Sequence, residues 1–255
     1  MDKRFKILVS NDDGIYSEGI IALREAMLEI GEVFVYAPHK QQSAVGHAIT
    51  THLPLRVNPY YMNGEFFGYA VTGTPADCVK LAVTTHMQER PDLIVSGINH
   101  GSNAAINVIY SGTVSAATEG TILGIPSIAF SLTTYIDFDF TYSKKVAQII
   151  ASAVLKHGLP PGILLNVNIP PVPEEQIKGI KITKQGRSRW NDYFEKRVDP
   201  QGREYFWLTG TMDNIEDDED SDVVATKNNY VSVTPIHFDL TAYDFLKELE
   251  KWEFK

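Results

Sequence analysis

The chain has 255 residues, of which 44% are hydrophobic and 22% are charged, and its formal net charge is −9. This length suits one large α/β domain or a domain with a sizeable appendage, and the acidic balance argues against binding of nucleic-acid polymers through a basic surface. The single cysteine, Cys78, excludes an intramolecular disulfide and is typical of a reducing compartment. No apolar stretch has the length of a membrane span, so we expect a cytoplasmic protein with no membrane partner.

The first apolar segment, residues 5–9, runs into a pair of carboxylates. It has no alternation of polar residues, which is typical of a strand covered on both faces in a parallel sheet. In open α/β sheets ligands bind just beyond the carboxyl ends of such strands, where Asp12 and Asp13 lie. Adjacent carboxylates repel each other unless a cation or proton lies between them, so the pair favours a metal site. Capping of the following helix by one aspartate is the alternative explanation.

The next segments alternate between helix and strand patterns. A helix with Ser17 as N-cap and a strand at residues 33–38 complete a βαβ unit. Another helix is predicted to begin at Thr74, because a capping threonine, a proline and an acid follow one another at the right spacing. Further strands are predicted within residues 52–72 and at residues 91–97, 126–131 and 163–169, and further helices at residues 142–156 and between Ser111 and Gly124. Residues 1–169 are therefore predicted to form an α/β domain with a mostly parallel sheet flanked by helices.

Beyond residue 169 the pattern changes to prolines, aromatic residues and short β-like runs. We interpret residues 170–255 as a β-rich extension: an arm over about 170–230, a returning strand at 230–235, and a helix at 241–249 with Thr241 and Asp244 as its capping pair. Aromatic side chains on an arm with little core of its own suggest that the arm packs on another subunit and forms a homo-oligomer. Packing of the arm against its own domain is the alternative.

The arm also contains an acidic run at residues 216–220, followed by Asp222. This run superficially resembles a calcium loop, but it lacks the glycine and the alternating ligand spacing of an EF-hand. We therefore expect a solvated loop.

Polar residues gather at the carboxyl ends of three predicted strands and at the start of one helix. They are Asn11, Asp12, Asp13 and Gly14 after the first strand, Ser43 on the loop after the second, Asn99 and Asn103 after the third, and Ser111, Gly112 and Thr113 at the helix start. They offer oxygen and amide groups without cysteine, and oxygen ligands suit a hard divalent cation such as Mg²⁺ or Mn²⁺. Three histidines in these loops, His39, His47 and His100, match no zinc-binding spacing.

A cation held by few protein charges requires an anionic partner. Ser111, Gly112 and Thr113 would supply hydroxyl and backbone N–H groups at a helix N-terminus, which is a favourable seat for phosphate, and Asn103 would add an amide donor. Simple capping of the helix by Ser111 and Thr113 is the alternative. The coincidence of a carboxylate pair and a phosphate seat at one sheet edge favours hydrolysis of a phosphate ester.

Five ordered motifs resemble the SurE family of stationary-phase survival proteins, which are metal-dependent 5′/3′-nucleotidases. They are Ser10-Asn11-Asp12-Asp13-Gly14, Gly73-Thr74-Pro75-Ala76-Asp77-Cys78-Val79, Ser96-Gly97-Ile98-Asn99, Tyr110-Ser111-Gly112-Thr113-Val114 and Ser232-Val233-Thr234-Pro235. The resemblance implies a Rossmann-like α/β domain and a swapped C-terminal arm that builds dimers and often tetramers. It also implies hydrolysis of nucleoside 5′- and 3′-monophosphates, and of short polyphosphate by some members.

The resemblance further implies roles for individual residues. One divalent metal per subunit, Mg²⁺ or Mn²⁺, would be bound by Asp12, Asp13, Ser43 and Asn99, and phosphate by Asn103, Ser111, Gly112 and Thr113. We assign Asn11 and Gly14, which flank the carboxylate pair, to the same phosphate-binding set. The loop around Ser43 matches the family less closely, so its assignment depends on the serine itself.

We interpret Asp12 as the catalytic residue, which binds the metal and lies closest to the attacking water as base or orienting group, with Asp13 mainly a ligand. A covalent aspartyl-phosphate route, as in haloacid-dehalogenase-type phosphatases, is an alternative, although those enzymes carry their two acids one residue apart. A non-catalytic nucleotide-binding sensor is a second alternative, and it would not need paired carboxylates. A dinucleotide-dependent oxidoreductase is disfavoured because the G-x-G-x-x-G turn is absent.

Overall fold

The computed structural model describes residues 4–136, 139–213 and 218–254. The strands of this part of the chain are β1 (Phe5–Ser10), β2 (Gly31–Pro38), β3 (Val57–Met62), β4 (Glu65–Val71), β5 (Leu93–His100), β6 (Ser127–Leu132), β7 (Ile163–Ile169), β8 (Gly179–Ile182), β9 (Arg189–Val198), β10 (Glu204–Asp213) and β11 (Tyr230–His237). Its α-helices are α1 (Glu18–Leu28), α2 (Pro75–Leu81), α3 (Asn107–Tyr110), α4 (Gly112–Ile122), α5 (Thr141–His157), α6 (Asp222–Lys227) and α7 (Tyr243–Leu249).

Within these residues, nine strands form one sheet in the order β3-β4-β2-β1-β5-β6-β7-β11-β8. The pairs from β4 through β2, β1, β5 and β6 to β7 are all parallel. Antiparallel pairing occurs between β3 and β4 and between β7 and β11. The predicted mostly parallel α/β sheet is therefore confirmed.

The centre of the sheet is covered on both faces, as the unbroken apolar runs predicted. Ile7 and Val9 of β1 pack in the core layer formed with α1 and α5, whereas Leu8 packs in the layer that includes residues of α2 and α4. All three side chains are fully buried. Complete burial places the carboxyl end of β1 in the middle of the molecule, between two layers of helices.

Side-chain caps begin the helices nearest that end. Ser17 Oγ accepts a hydrogen bond from the Ile20 N–H at 3.4 Å at the start of α1. Thr74 and Asp77 form the predicted capping box of α2, with distances of 3.1 Å and 2.9 Å. The predicted capping pair of the last helix is wrong: α7 begins after Ala242 without a side-chain cap. The reason is local, since the backbone N–H of Thr241 donates instead to the Asp239 carboxylate at 2.9 Å.

The C-terminal part divides its strands between two sheets. β9 and β10 form a separate antiparallel hairpin, and every residue of β9 is exposed. By contrast, β11 and β8 extend the main sheet beyond β7. The helix α6 lies within the predicted β-rich arm, so this part of the arm is helical. The division into residues 1–169 and 170–255 remains a prediction. β8 and β11 belong to the second segment, but they pair within the sheet that the first segment forms.

The acidic run is only partly solvated. Residues 216 and 217 lie outside the described residues, and Asp218 and Asp220 form surface ion pairs with Lys184 and Lys181 at 2.6 Å and 3.4 Å. The expectation of a solvated loop is wrong for Asp222, which is 0% exposed. Its carboxylate is buried because backbone N–H groups from distant segments surround it.

None of the helices in the described part of the chain combines the length and apolar composition that crossing a membrane requires.

Candidate active site at the carboxyl edge of the sheet

Asp12 and Asp13 lie directly after β1, and they are 5% and 7% exposed. The residues on either side of the pair, Asn11 and Gly14, hold the turn in its conformation. The side-chain amide of Asn11 donates to the Gly14 carbonyl at 2.9 Å and to Ser17 Oγ at 2.8 Å. Gly14 has a φ of +96°, a conformation that L side chains rarely adopt. Asn11 and Gly14 therefore shape the turn, which holds the two carboxylates in place.

The start of α4 contacts Asp12 directly. The Thr113 hydroxyl donates a hydrogen bond to Asp12 Oδ1. A Cβ atom at Gly112 would lie 2.7 Å from Asp12 Cβ and 3.0 Å from its Oδ2, so only glycine permits this approach. The structure thus brings together residues that are 101 positions apart in the chain. The N-terminal end of a helix dipole faces a carboxylate here.

The two carboxyl groups are electrostatically unfavourable without a cation. Burial, and then the charge of Asp13, raise the pKa of Asp12 to about 7, although the Thr113 hydrogen bond opposes the shift. Burial also raises the pKa of Asp13, against the opposing charge and N–H group of His100. In the described residues, neither carboxylate forms an ion pair with a lysine or arginine, and the His100 Nδ1 to Asp13 Oδ2 distance is 3.7 Å. This oxygen-rich, under-neutralised pair fits a hard divalent cation.

Ser43 reaches the pair through Gln41. The Gln41 side-chain amide donates to Asp13 Oδ1 at 3.3 Å and to Ser43 Oγ at 2.9 Å. The backbone N–H of Gln42 donates to the Asp12 carbonyl at 2.7 Å, which holds the loop over the turn. Ser43 itself is exposed. Sequence reasoning missed Gln41, because a glutamine two residues before a serine in a polar loop carries no distinguishing signal.

Asn99 is the last residue but one of β5, next to the residue that contacts Asp13. It is buried, and its side-chain amide donates to the Gly101 carbonyl at 2.9 Å. The next residue, His100, donates its backbone N–H to Asp13 Oδ2 at 3.3 Å. The strands β1 and β5 are parallel neighbours in the sheet, so their carboxyl ends lie side by side.

Asn103 is held by the next two strands. Its side-chain amide donates to Ser131 Oγ at 2.6 Å, its backbone N–H donates to Asn168 Oδ1 at 2.8 Å, and its carbonyl accepts from the Asn166 side chain at 2.7 Å. All four residues are buried. Sequence reasoning missed Ser131, Asn166 and Asn168. The available signal was the presence of polar residues inside the apolar runs of β6 and β7.

Ser111 caps α4, since its Oγ accepts from the Val114 N–H at 3.0 Å. The capping alternative therefore describes Ser111 correctly. Thr113 differs, because its hydroxyl is directed to Asp12 and not to the helix backbone. The first turn of α4 therefore lies against the Asp12 carboxylate.

Comparison with known proteins places this architecture in a family. The sequence profile described as "Survival protein SurE" matches residues 7–192. The chain belongs to the SurE family. A SurE relative from Syntrophobacter fumaroxidans, named 5′-nucleotidase SurE, is 49% identical over 247 residues, covering 97% of this chain and 99% of the relative. The protein of the same name from Chlorobium chlorochromatii is 51% identical over 249 residues, covering 98% and 92%.

A solved structure shares the fold. The crystal structure of the SurE protein from Aquifex aeolicus has 43% sequence identity and a TM-score of 0.83, and the match covers 96% of this chain and 98% of that chain. The resemblance to SurE that the five motifs indicated is thus confirmed over nearly the whole chain.

The three histidines of the loops near the carboxylate pair have separate partners. His39 Nδ1 lies 3.2 Å from the Val71 carbonyl, His47 Nε2 lies 2.9 Å from Glu119 Oε2, and His100 lies beside Asp13. Across the described ranges, no group of three His, Cys, Asp or Glu side chains is arranged to hold a metal ion. The candidate donors predicted for a cation are two carboxylates with hydroxyl and amide oxygens.

A second polar cluster, also missed from the sequence, fastens the Ser43 loop to the helices of this SurE fold. Glu119 of α4 is 2% exposed, and Lys80 of α2 lies 2.5 Å from its Oε1, opposite His47. Burial alone would raise the pKa of Glu119, but the hydrogen bonds and charges of His47 and Lys80 outweigh it and lower that pKa. Three residues after His47, the Thr50 hydroxyl and N–H donate to the Asp77 carboxylate. No local pattern reveals this arrangement, because its members lie in three separate segments.

Proposed function

We propose that this chain is a divalent-cation-dependent phosphomonoesterase that hydrolyses nucleoside 5′-monophosphates to nucleoside and phosphate. The observation that carries the proposal is the buried Asp12–Asp13 pair facing the start of α4. Relatives that are about half identical over almost the whole chain are named 5′-nucleotidases, which supports the same reaction class. Nucleoside 3′-monophosphates and short polyphosphate are further proposed substrates, since they present the same phosphoryl group.

Asp12, Asp13, Ser43 and Asn99 would hold one Mg²⁺ or Mn²⁺ per subunit. When bound, such a cation acts as a Lewis acid that neutralises charge on phosphoryl oxygens. The donor set supports this assignment, because two buried carboxylates with raised pKa values require a positive partner to ionise at neutral pH.

The phosphoryl group would bind at the start of α4. Backbone N–H groups of Gly112 and Thr113 lie in the first turn of the helix, where N–H groups have no intrahelical acceptor. Asn103 would donate its amide to a phosphoryl oxygen, since Ser131 fixes the orientation of that amide. Ser111, Asn11 and Gly14 would complete the phosphate-binding set by holding the helix start and the turn in register.

Asp12 is the proposed catalytic residue. The Thr113 hydroxyl fixes its carboxylate, so one oxygen is oriented while the other is available to align an attacking water or accept its proton. The aspartyl-phosphate route is the competing mechanism, in which Asp12 itself attacks phosphorus. Single-turnover hydrolysis in ¹⁸O-water separates them: we expect the label in phosphate and none in Asp12.

The hairpin of β9 and β10 is proposed to join subunits into a homodimer or homotetramer. Several large aromatic side chains of the hairpin are exposed, namely Tyr193, Phe194, Phe206 and Trp207. Large exposed apolar groups on a projecting ribbon are typical of an interface. A cytoplasmic location is proposed separately, because the single cysteine, Cys78, is typical of a reducing compartment.

Phosphate release from a panel of nucleotides and polyphosphate tests the proposed activity. We expect release from nucleoside monophosphates with Mg²⁺ or Mn²⁺ and none after EDTA. Tight nucleotide binding without hydrolysis, under the same metals, would instead favour the non-catalytic sensor. Undiminished hydrolysis in EDTA would contradict the assigned metal dependence.

A further inference from the structure

The loop between β5 and α3 is held at its middle by residues from the C-terminal part of the chain. This loop carries Asn103 and leads through α3 to the start of α4. Within it, Ala105 has a φ of +50°, a left-handed conformation that is unfavourable for a residue with a Cβ atom. Such a conformation persists only where surrounding contacts impose it.

Two distant side chains impose it on Ala105. Asp222 Oδ2 accepts the Ala105 N–H at 3.0 Å, and the Gln185 side-chain amide donates to the Ala105 carbonyl at 2.8 Å. These residues lie 117 and 80 positions away in sequence. Both polar groups of the Ala105 backbone are therefore paired by the segments that flank the β9–β10 hairpin.

Asp222 joins three segments at one buried point. Besides Ala105, its carboxylate accepts the Gly186 N–H at 2.9 Å and the Val223 N–H at 2.8 Å, and the residue is 0% exposed. A carboxylate accepting several backbone N–H groups is stable inside a protein, whereas burial without them is costly. Val223 also packs in an apolar cluster with the alanines of the loop.

The next anchor acts on α3 itself. The indole N–H of Trp190, at the start of β9, donates to Asn107 Oδ1 at 2.7 Å. Asn107 in turn donates its side-chain amide back to the Ser102 carbonyl at 3.1 Å. The loop is thus fixed on one side by β6 and β7 through Asn103, and on the other side by the base of the hairpin.

We propose that Asp222 and Gln185 are positioning residues of the phosphate site, which hold the loop so that Asn103 and the start of α4 face the phosphoryl group. The carboxylates after β1 are anchored by their own turn through Asn11. The inference rests on the proposed function for the identity of the ligand. The C-terminal segment would then help to shape the phosphate site, in addition to its proposed role in joining subunits.

The test compares phosphate binding with metal binding in the full chain. The variants are Asp222→Asn, whose amide NH₂ would face a backbone donor, and Gln185→Met, which keeps length but removes the donor to Ala105. The matched control is Asp220→Asn, the same chemical change at an exposed surface position. Inorganic phosphate is titrated calorimetrically into Mn²⁺-loaded protein, and Mn²⁺ affinity and the Tm are measured alongside.

We expect both variants to weaken phosphate binding roughly tenfold to hundredfold, as displacement of binding groups by a fraction of an ångström to 1 Å does. Mn²⁺ affinity should stay within about twofold, because distant sites behave independently, and the control should match wild type. Unchanged phosphate affinity in folded variants overturns the inference, as does equal loss of Mn²⁺ and phosphate binding. If Asp222→Asn fails to fold, Gln185→Met decides.

Failure of the positioning role and failure of the proposed hydrolytic function give different results. If wild-type protein binds phosphate but hydrolyses no nucleotide, the hydrolytic function is contradicted, and the variants still test the positioning role. If wild type and both variants are fully active and bind phosphate with the same affinity, only the positioning role is contradicted. Wild type that binds no phosphate would contradict both.

Discussion

Replacement of Gly112 by alanine tests whether the close approach of α4 to Asp12 is functional. An added Cβ would lie 2.7 Å from Asp12 Cβ and 3.1 Å from Pro75 Cγ. Carbon atoms pack at about 3.5–4.0 Å, so the helix start or the Asp12 side chain has to move by about 1 Å. The backbone of Gly112 imposes no left-handed conformation, so the cost arises from overpacking, which is about 1–3 kcal/mol.

The expected loss of activity is larger than the loss of stability suggests, because a displacement of 1 Å in a site costs roughly a hundredfold in turnover. Gly73→Ala is the matched control, since its Cβ would also lie 2.7 Å from an aspartate Cβ, that of Asp77, at the start of α2. We expect similar shifts in urea denaturation for both variants, with the large fall in kcat confined to Gly112→Ala. Turnover of Gly112→Ala within about twofold of wild type, or an equal fall in both variants, would refute the reasoning.

Three further predictions concern stability and assembly. Thr74→Ala removes the cap of α2 and should lower the free energy of unfolding by about 1–2 kcal/mol in urea titrations; an unchanged midpoint would contradict it. Glu119→Gln weakens the bonds to His47 and Lys80 and should cost about 1–3 kcal/mol near neutral pH. Because the pKa of Glu119 is lowered from 4.5, this difference should be fully present above pH 4.5 and shrink as pH falls through the folded-state pKa, and a difference constant to lower pH would argue against it. Replacing residues 190–212 by a short turn should give monomers by light scattering, and a stable dimer would exclude the hairpin as the interface.

The fold was predictable where local patterns and burial agree. The unbroken apolar run of β1 and the capping box of α2 both carry their structural reason within a few residues. The joining of β8 and β11 to the main sheet was not predictable, because the same short β-like runs suit either an arm or a sheet edge. Tertiary pairing, rather than local propensity, decides between these outcomes.

The burial of Asp222 was likewise not predictable from local sequence. Its position beside an acidic run favours a solvated side chain, and the sequence contains no local sign of the N–H groups that bury it. The carboxylate pair, by contrast, was predictable, because a strand end followed by Asp12 and Asp13 is informative without tertiary knowledge. The sequence predicts Thr113 and Asp12 only at the same sheet edge, because their hydrogen bond is a tertiary contact between residues 101 positions apart.

The turnover of Asp12→Asn at saturating Mn²⁺ tests the central claim most directly. The substitution keeps the shape of the side chain and removes one of two repelling buried charges, so the Tm in EDTA should equal or exceed that of wild type. We predict that kcat for a nucleoside 5′-monophosphate falls by roughly a thousandfold or more, while Asp220→Asn keeps wild-type turnover. A folded Asp12→Asn protein with near wild-type turnover and normal Mn²⁺ dependence would contradict the account.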